Sequence, residues 1–404
     1  MAIGVGNTTN LFASAADLQQ KSFAALITRL MPNGTAPLFA ITGQLATKTA
    51  AQFTHGYFTK TMIFPRITVG AGGQLIGDTA FTIVANSQLM PGMMFRDDLT
   101  GEQIIINTVI STTSITVTRA VGTIAAAAIA ANQTMSMTGN AFEEASIRPA
   151  PQYIVPVQVT NYTQIFRNSW GISDTVRASL TIAGDGNAAE NKNDAAMFHA
   201  TDIEKAIIWG QKFLGTRNGQ PFHTMDGIVN RVTTDASTNV TSLGATTTFT
   251  QLETALDPMF ETASDPKGSM DRVAFVGGSM NRVLNNIGRL NATYMVNQGQ
   301  TEFGLRYTSF KLTRGLFHVI EHPLFNTNSI WKKMGLFLDL SSFKLAYLGD
   351  RHTKYQEYNA NGEMEASDNG IDAIGGTFTT EVTTEITNPS AHGVLYNATA
   401  AAVG

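Results

Sequence analysis

The sequence predicts an α+β fold, and three features carry that expectation. Residues from Tyr153 to Phe166 are extended, β-branched sequence. A polar, Ala-rich segment from Ala188 to Lys212 has the 3- and 4-residue spacing of a long helix. The second half alternates short apolar runs with amphipathic stretches, the pattern of strands mixed with helices.

Composition sets the frame. With 404 residues, two or three domains or subdomains are expected, and 43% apolar content is enough to build their cores. Charged residues make up 14%, below the usual share of about a quarter. Such a chain must hide much of its surface or hold it with neutral hydrogen bonds, and extensive subunit contacts would do both. A net charge of −4 excludes a strongly basic nucleic-acid binder. The absence of cysteine excludes disulfides, thiolate catalysis and zinc–thiolate sites. Met1-Ala-Ile-Gly-Val-Gly lacks the basic and apolar regions of a signal peptide, and no stretch of 18 apolar residues predicts a membrane span.

Residues 1–50 read as an arm with one helix, Asp17 to Leu30, capped by Ser14 and carrying Leu18, Phe23, Leu26, Ile27 and Leu30. Phe53 to Pro65 reads as one arm of a long hairpin, rich in aromatics (Phe53, Tyr57, Phe58, Phe64). Residues 69–140 hold five short strands separated by turn residues: Thr79–Ala85, Gly92–Asp97, Gln103–Ile110, Ser114–Arg119 and Thr134–Thr138. That spacing predicts a small barrel or sandwich, inserted near the tip of the hairpin because extended sequence flanks it on both sides.

The long helix has a cap at Asn187 with Glu190 three residues on. Its apolar stripe is thin: Ala196, Ala200, Ile203, Ile207, Gly210 and Leu214. Glu190, Asp194, Asp202, Glu204, Lys205 and Lys212 take much of the rest. Gly210 weakens the last turn and Gly215 stops it. A helix of about 25 residues spans about 37 Å, more than a compact domain usually needs. Both a strut meeting partners and an ordinary surface helix fit this segment alone. Phe222 to Leu243 reads as loop, Thr250 to Ala263 and Ser279 to Leu290 as helices, and Arg272 to Gly278 as a buried strand. Short strands follow at Thr308–Lys311, Leu316–Glu321, Leu336–Asp339 and Lys344–Leu348, and a Thr-rich strand at Gly376–Asn388.

Taken together, several segments resemble the major capsid proteins of tailed bacteriophages, specifically the SU10-type head protein family with its HK97 capsid fold. They are Asn161-Tyr-Thr-Gln-Ile-Phe-Arg, Ile172-Ser-Asp-Thr-Val, and the long helix with Asp202-Ile-Glu-Lys-Ala. In the inserted unit they are Met90-Pro-Gly-Met-Met-Phe, Gly101-Glu-Gln-Ile, Ile115-Thr-Val-Thr-Arg and Asn140-Ala-Phe-Glu-Glu-Ala-Ser. Phe343-Lys-Leu-Ala-Tyr-Leu and Glu385-Ile-Thr-Asn-Pro-Ser-Ala-His-Gly-Val complete the set. Each motif is weak alone, and their order along most of the chain makes the match specific. Tyr355 to Gly375 departs from the family's short turn by being longer and more acidic.

The resemblance implies an N-terminal arm (1–50), an E-loop hairpin (51–68 and 141–168) and an inserted all-β domain (69–140). It implies a peripheral domain (169–221 and 341–404) with a spine helix at 188–212, and an axial domain at 222–340. The implied function is structural: a subunit that self-assembles as hexamers and pentamers into an icosahedral head around double-stranded DNA. DNA would be held by non-specific proximity. The other partners implied are a portal protein and scaffold or cement proteins, with no membrane, and assembly would take place in the host cytoplasm before the protein enters the virion. Phe53, Tyr57, Phe58, Phe64, Tyr153, Leu18 and Phe23 are the expected inter-subunit contacts.

No catalytic, cofactor or metal residue is expected. His318-Val-Ile-Glu-His322 matches a zinc-peptidase pattern that works only on a helix. Here it reads as strand, where the two histidines lie about 13 Å apart. Phe275-Val-Gly-Gly lacks the rest of a phosphate-binding loop. Asp97-Asp98 and Glu143-Glu144 are neighbours facing opposite sides of a strand, so solvated or interface charge is expected there. Lys60 makes a Lys–Asn crosslink conceivable, with no partner identified. Two rivals remain at this point: a β-rich tail or adhesion protein binding a surface ligand, and a hydrolase using His322.

Overall fold

The computed structural model describes residues 47–60, 65–178, 187–244, 247–261, 271–290, 297–302, 305–358 and 373–399. The chain divides into two compact units. One spans Phe58–Val157, and the other takes in the residues on both sides of it.

In the inserted unit, alternation builds a barrel. Ile104 and Ile106, Ile115 and Val117, and Met93 and Phe95 are buried, and the residues between them, Ile105, Thr116 and Met94, are less so. Six strands run in the order Arg66–Thr68, Thr134–Asn140, Met93–Asp97, Gln103–Ser111, Ser114–Thr118, Ala80–Thr82, each antiparallel to its neighbours. The two outer strands then meet. Gly70 N donates to Thr82 O and Val84 N donates to Thr68 O, each at 2.8 Å, around the Val69–Ile83 bridge. Closure removes the open edges. The closing strand, Arg66–Thr68, falls in what the sequence pattern assigns to the hairpin. Ile67, Phe81, Phe95, Ile104, Ile115 and Met135 form a core with no exposed surface, each side chain worth about 1.5–3 kcal/mol on burial.

The barrel also buries an ion pair. Arg119 donates to both oxygens of Glu102, at 2.9 and 2.6 Å. Its remaining N–H groups reach the carbonyls of Leu75, Ile76 and Ala127. Asp97 is buried as well, holding Thr100 and Gln133. It is therefore a structural carboxylate and not the solvated or interface charge expected.

The other unit contains two larger sheets. In the five-stranded sheet, Ala373–Ile386 is central. It pairs with Gln164–Ser173 on one side, and with Phe343–Leu348 and Lys354–Tyr358 on the other. Lys48–Ala50 adds in parallel to Phe343–Leu348. The seven-stranded mixed sheet runs Val240–Ser242, Gly393–Tyr396, Gly335–Leu338, Asp271–Val276, Leu316–Glu321, Leu305–Lys311, Asn297–Glu302. Residues 164–168, read as hairpin, thus belong to the five-stranded sheet. Gly393–Tyr396, placed with the peripheral residues, belongs to the seven-stranded sheet.

The long helix is Asn187–Trp209, ending three residues before the expected Lys212. The backbones at Gly210 and Gly227 touch, with Gly227 N donating to Gly210 O at 2.9 Å. A Cβ on Gly210 would stand 2.7 Å from Met225 O, and one on Gly227 would stand 2.5 Å from Gly210 N. Phe213–Arg217 and Gln220–Thr224 then form a hairpin whose turn residues, Asn218 and Gly219, both take positive φ (52° and 74°). Ile228–Asp235 is a helix, where the sequence reads as loop. The buried side of the long helix is Ala195, His199, Ile203, Glu204, Ile207 and Ile208. Glu204, assigned by sequence to the polar faces, lies on it.

Candidate assembly site at the hairpin root

Two strands, Thr54–Thr59 and Val157–Tyr162, pair to form the root of the expected hairpin. The central strand Ala373–Ile386 anchors them with a row of buried polar groups. Glu385 is 2% exposed; Lys48 Nζ donates to its Oε1 at 2.6 Å, and His55 Nε2 lies 2.7 Å from its Oε2. Burial pushes the Glu385 carboxyl up, but Lys48 and His55 outweigh it and hold it below its ordinary value. Two residues on along the first strand, Tyr57 donates its hydroxyl to the Ile386 carbonyl. Burial raises its pKa against the pull of Arg231. Arg231 is itself fixed by Asp235 at 2.5 Å.

The second strand is tied down by amide chemistry. Asn161 Nδ2 donates to the Thr384 carbonyl (3.0 Å) and to the Asp226 carbonyl (3.2 Å), and its Oδ1 accepts from Asp226 N (2.8 Å). Lys212 donates to Thr160 O at 2.6 Å and sits 4.6 Å above the Tyr162 ring. Thr163 Oγ1 donates to Glu381 at 2.7 Å, and Arg351 reaches the other oxygen of Glu381 at 2.9 Å. The root is therefore rigid, and each strand is fixed by contacts distant in sequence.

The expected contact residues separate into groups. Tyr57 is committed to its own chain. Phe53 is 44% exposed and stacks on His223 at 5.5 Å. Phe58 and Tyr153 are exposed, at 69% and 83%. Leu18, Phe23 and Phe64 lie outside the described residues. Sequence reasoning missed Lys48, His55 and Glu385, and the Thr-rich run around Glu385 gave one signal. Two carboxylates, Glu381 and Glu385, in an otherwise uncharged strand imply partners.

The other chemistry considered is structural. His318 lies on a strand and meets Ser309 Oγ at 2.9 Å. His322 is buried 2.9 Å from Glu204. Ser342, His392 and Asp339 lie together, but His392 Nδ1 accepts from Asp339 N (3.2 Å) and its Nε2 faces Ser342 Oγ (2.9 Å). The ring nitrogen facing the serine is thus the protonated one, the opposite of what a general base requires. Among the described residues no cluster of three metal-ligating side chains occurs, and no helix is long and apolar enough to cross a membrane.

The profile of the SU10 major capsid protein family matches residues 5–399. The chain belongs to the SU10 major capsid protein family. It is 39% identical over 402 residues to the major capsid protein of Pseudomonas phage PaMx41, covering 97% of this chain and 95% of that one. As a member of the family it is a phage major capsid protein, a structural component of the virion, and the tail or adhesion alternative is not favoured. The family is a structural one and not an enzyme class.

Solved structures with a similar chain trace include Mycobacterium phage Bobi (9% identity, TM-score 0.47, 94% of this chain and 96% of that one). Another is the capsid of an empty GTA particle (10% identity, TM-score 0.44, 98% and 100%). A third is the SrpI encapsulin complex of Synechococcus elongatus PCC 7942 (9% identity, TM-score 0.42, 61% and 78%). The family assignment rests on the sequence match and not on these.

Proposed function

We propose that this capsid protein is the repeating subunit of an icosahedral head enclosing double-stranded DNA, closing as hexamers and pentamers of an HK97-like subunit. The full-length family match carries this reading. The long helix and five-stranded sheet act as the peripheral domain, and the seven-stranded sheet as the axial domain. The paired strands at 54–59 and 157–162 act as the root of an E-loop, with the barrel as its insertion and the residues before Lys48 as an arm, since Lys48–Ala50 joins the five-stranded sheet.

Exposed apolar side chains support assembly through these parts. Phe58, Ile147, Tyr153, Val155 and Val157 are 63–92% exposed, an excess that a partner would cover. Phe58 and Tyr153 are the inter-subunit contacts, and the half-exposed Phe53 is a third. Individually weak contacts multiply on a closed shell. Portal, scaffold and cement proteins would complete the head in the host cytoplasm, with DNA held by proximity.

Size-exclusion chromatography with electron microscopy of the expressed chain tests this. Closed shells or capsomers are expected. A monomer that persists even beside a scaffold partner contradicts it.

A further inference from the structure

A groove of about 970 Å³ runs along the inserted unit between the barrel wall and residues 141–150. Its lining includes the apolar side chains of Met90, Pro91, Ile105 and Phe142. Among its lining residues the only charges are Glu143 and Glu144, both exposed. Arg148, in the same segment, does not line it. The groove therefore suits an apolar side chain accompanied by cations.

The chain carries a segment of that chemistry on its other unit. Ile330 is 66% exposed, and Lys332 and Lys333 are exposed beside it. This tip is rigid. Ile330 N donates to Asn328 Oδ1 at 2.8 Å, Lys332 N to Asn328 O at 2.9 Å, and Lys333 N to Ile330 O at 3.1 Å. Trp331 stacks on Trp209 with centroids 4.0 Å apart. A preorganised tip loses little conformational entropy on docking.

We propose that the groove of one subunit receives the Ile330–Lys333 tip of a second copy, with Ile330 against the apolar lining residues and Lys332 and Lys333 facing Glu143 and Glu144. The contact is heterologous, two different patches meeting, as repetition in a shell allows. The proposal rests on the reading of the chain as a shell subunit.

The test is a charge swap in the full chain, read as shell yield by sedimentation and electron microscopy. E143K/E144K and K332E/K333E place like charges opposite one another, and each lowers yield about tenfold or more. Combining all four substitutions restores it. Unchanged yield in both double variants, or no recovery in the fourfold variant, overturns the proposal. If wild-type chain stays monomeric even beside a scaffold partner, the shell reading fails instead.

Because the chain lacks cysteine, Ala145→Cys with Ile330→Cys gives an independent measurement that does not depend on the charge variants folding. On oxidation, a ladder of linked subunits on non-reducing gels supports the contact. A band at monomer size alone overturns it.

Discussion

Glu385 and His55 lie 330 positions apart in sequence and 2.7 Å apart in space. The carboxylate belongs to the most deeply buried strand of its sheet and the imidazole to the first strand of the hairpin root. With Lys48 on the other carboxylate oxygen, Glu385 ties the start of the first root strand to the central strand.

Replacing Glu385 by Gln removes the carboxylate charge that holds Lys48 and faces His55. The expected loss is about 1–3 kcal/mol of stability, read by urea unfolding, with faster amide exchange confined first to residues 54–59. Because the folded carboxyl titrates below its unfolded value, wild-type stability from this group is complete above the unfolded pKa. It is lost as pH falls through the folded one. The Gln variant loses that part of the acid dependence.

His392 has the complementary behaviour. Full burial lowers its pKa to about 4, so between its ordinary value of 6.5 and about 4 the unfolded chain binds a proton that the folded chain does not. Stability therefore falls as pH drops through that window, by about 3 kcal/mol at most, and levels off below it. His392→Asn flattens the window in a urea series across pH.

Arg119 closes the inserted barrel over Glu102. Burial pushes that carboxyl up, but Arg119 and the backbone N–H groups of Ala127 and Ala120 hold it low. Arg119→Met leaves a buried carboxylate without its cation and costs about 3–5 kcal/mol. Amide exchange rising across residues 66–140, with the long helix unaffected, is the expected signature. Adding Glu102→Leu recovers much of the loss.

Gly210→Ala places a methyl group 2.7 Å from Met225 O and 2.4 Å from Ala206 O. The backbone around Ala206 and Met225 must shift, at about 1–3 kcal/mol. A lower thermal midpoint with unchanged helix content is expected by circular dichroism.

Local pattern made much of the fold legible. Alternation located five barrel strands, and 3.6-residue spacing located the long helix. What it missed depends on partners distant in sequence. Arg66–Thr68 closes the barrel only because Thr134–Asn140 and Ile83 lie beside it. Glu204 looks like a surface acid until His322, 118 residues on, meets it in the core. Gly393–Tyr396 has no local feature that selects one sheet over the other. Asn218-Gly219 is a hairpin-turn pair, but the strand before it, Phe213–Arg217, overlaps Leu214 and Gly215, which the helical spacing also claims. At the candidate site, the aromatic residues of the hairpin were legible as types. Which of them remain outward was not, because Tyr57 and Phe58 face opposite sides of one strand, and only the fold puts the Ile386 carbonyl within reach of the Tyr57 hydroxyl.

The central claim is that this polypeptide completes its burial against copies of itself. A cryo-electron-microscopy map of the assembled particle, sharp enough to place Phe58 and Tyr153, tests it most directly. Both side chains are expected to be covered by a neighbouring subunit. Finding them facing solvent in every subunit of a closed shell contradicts it.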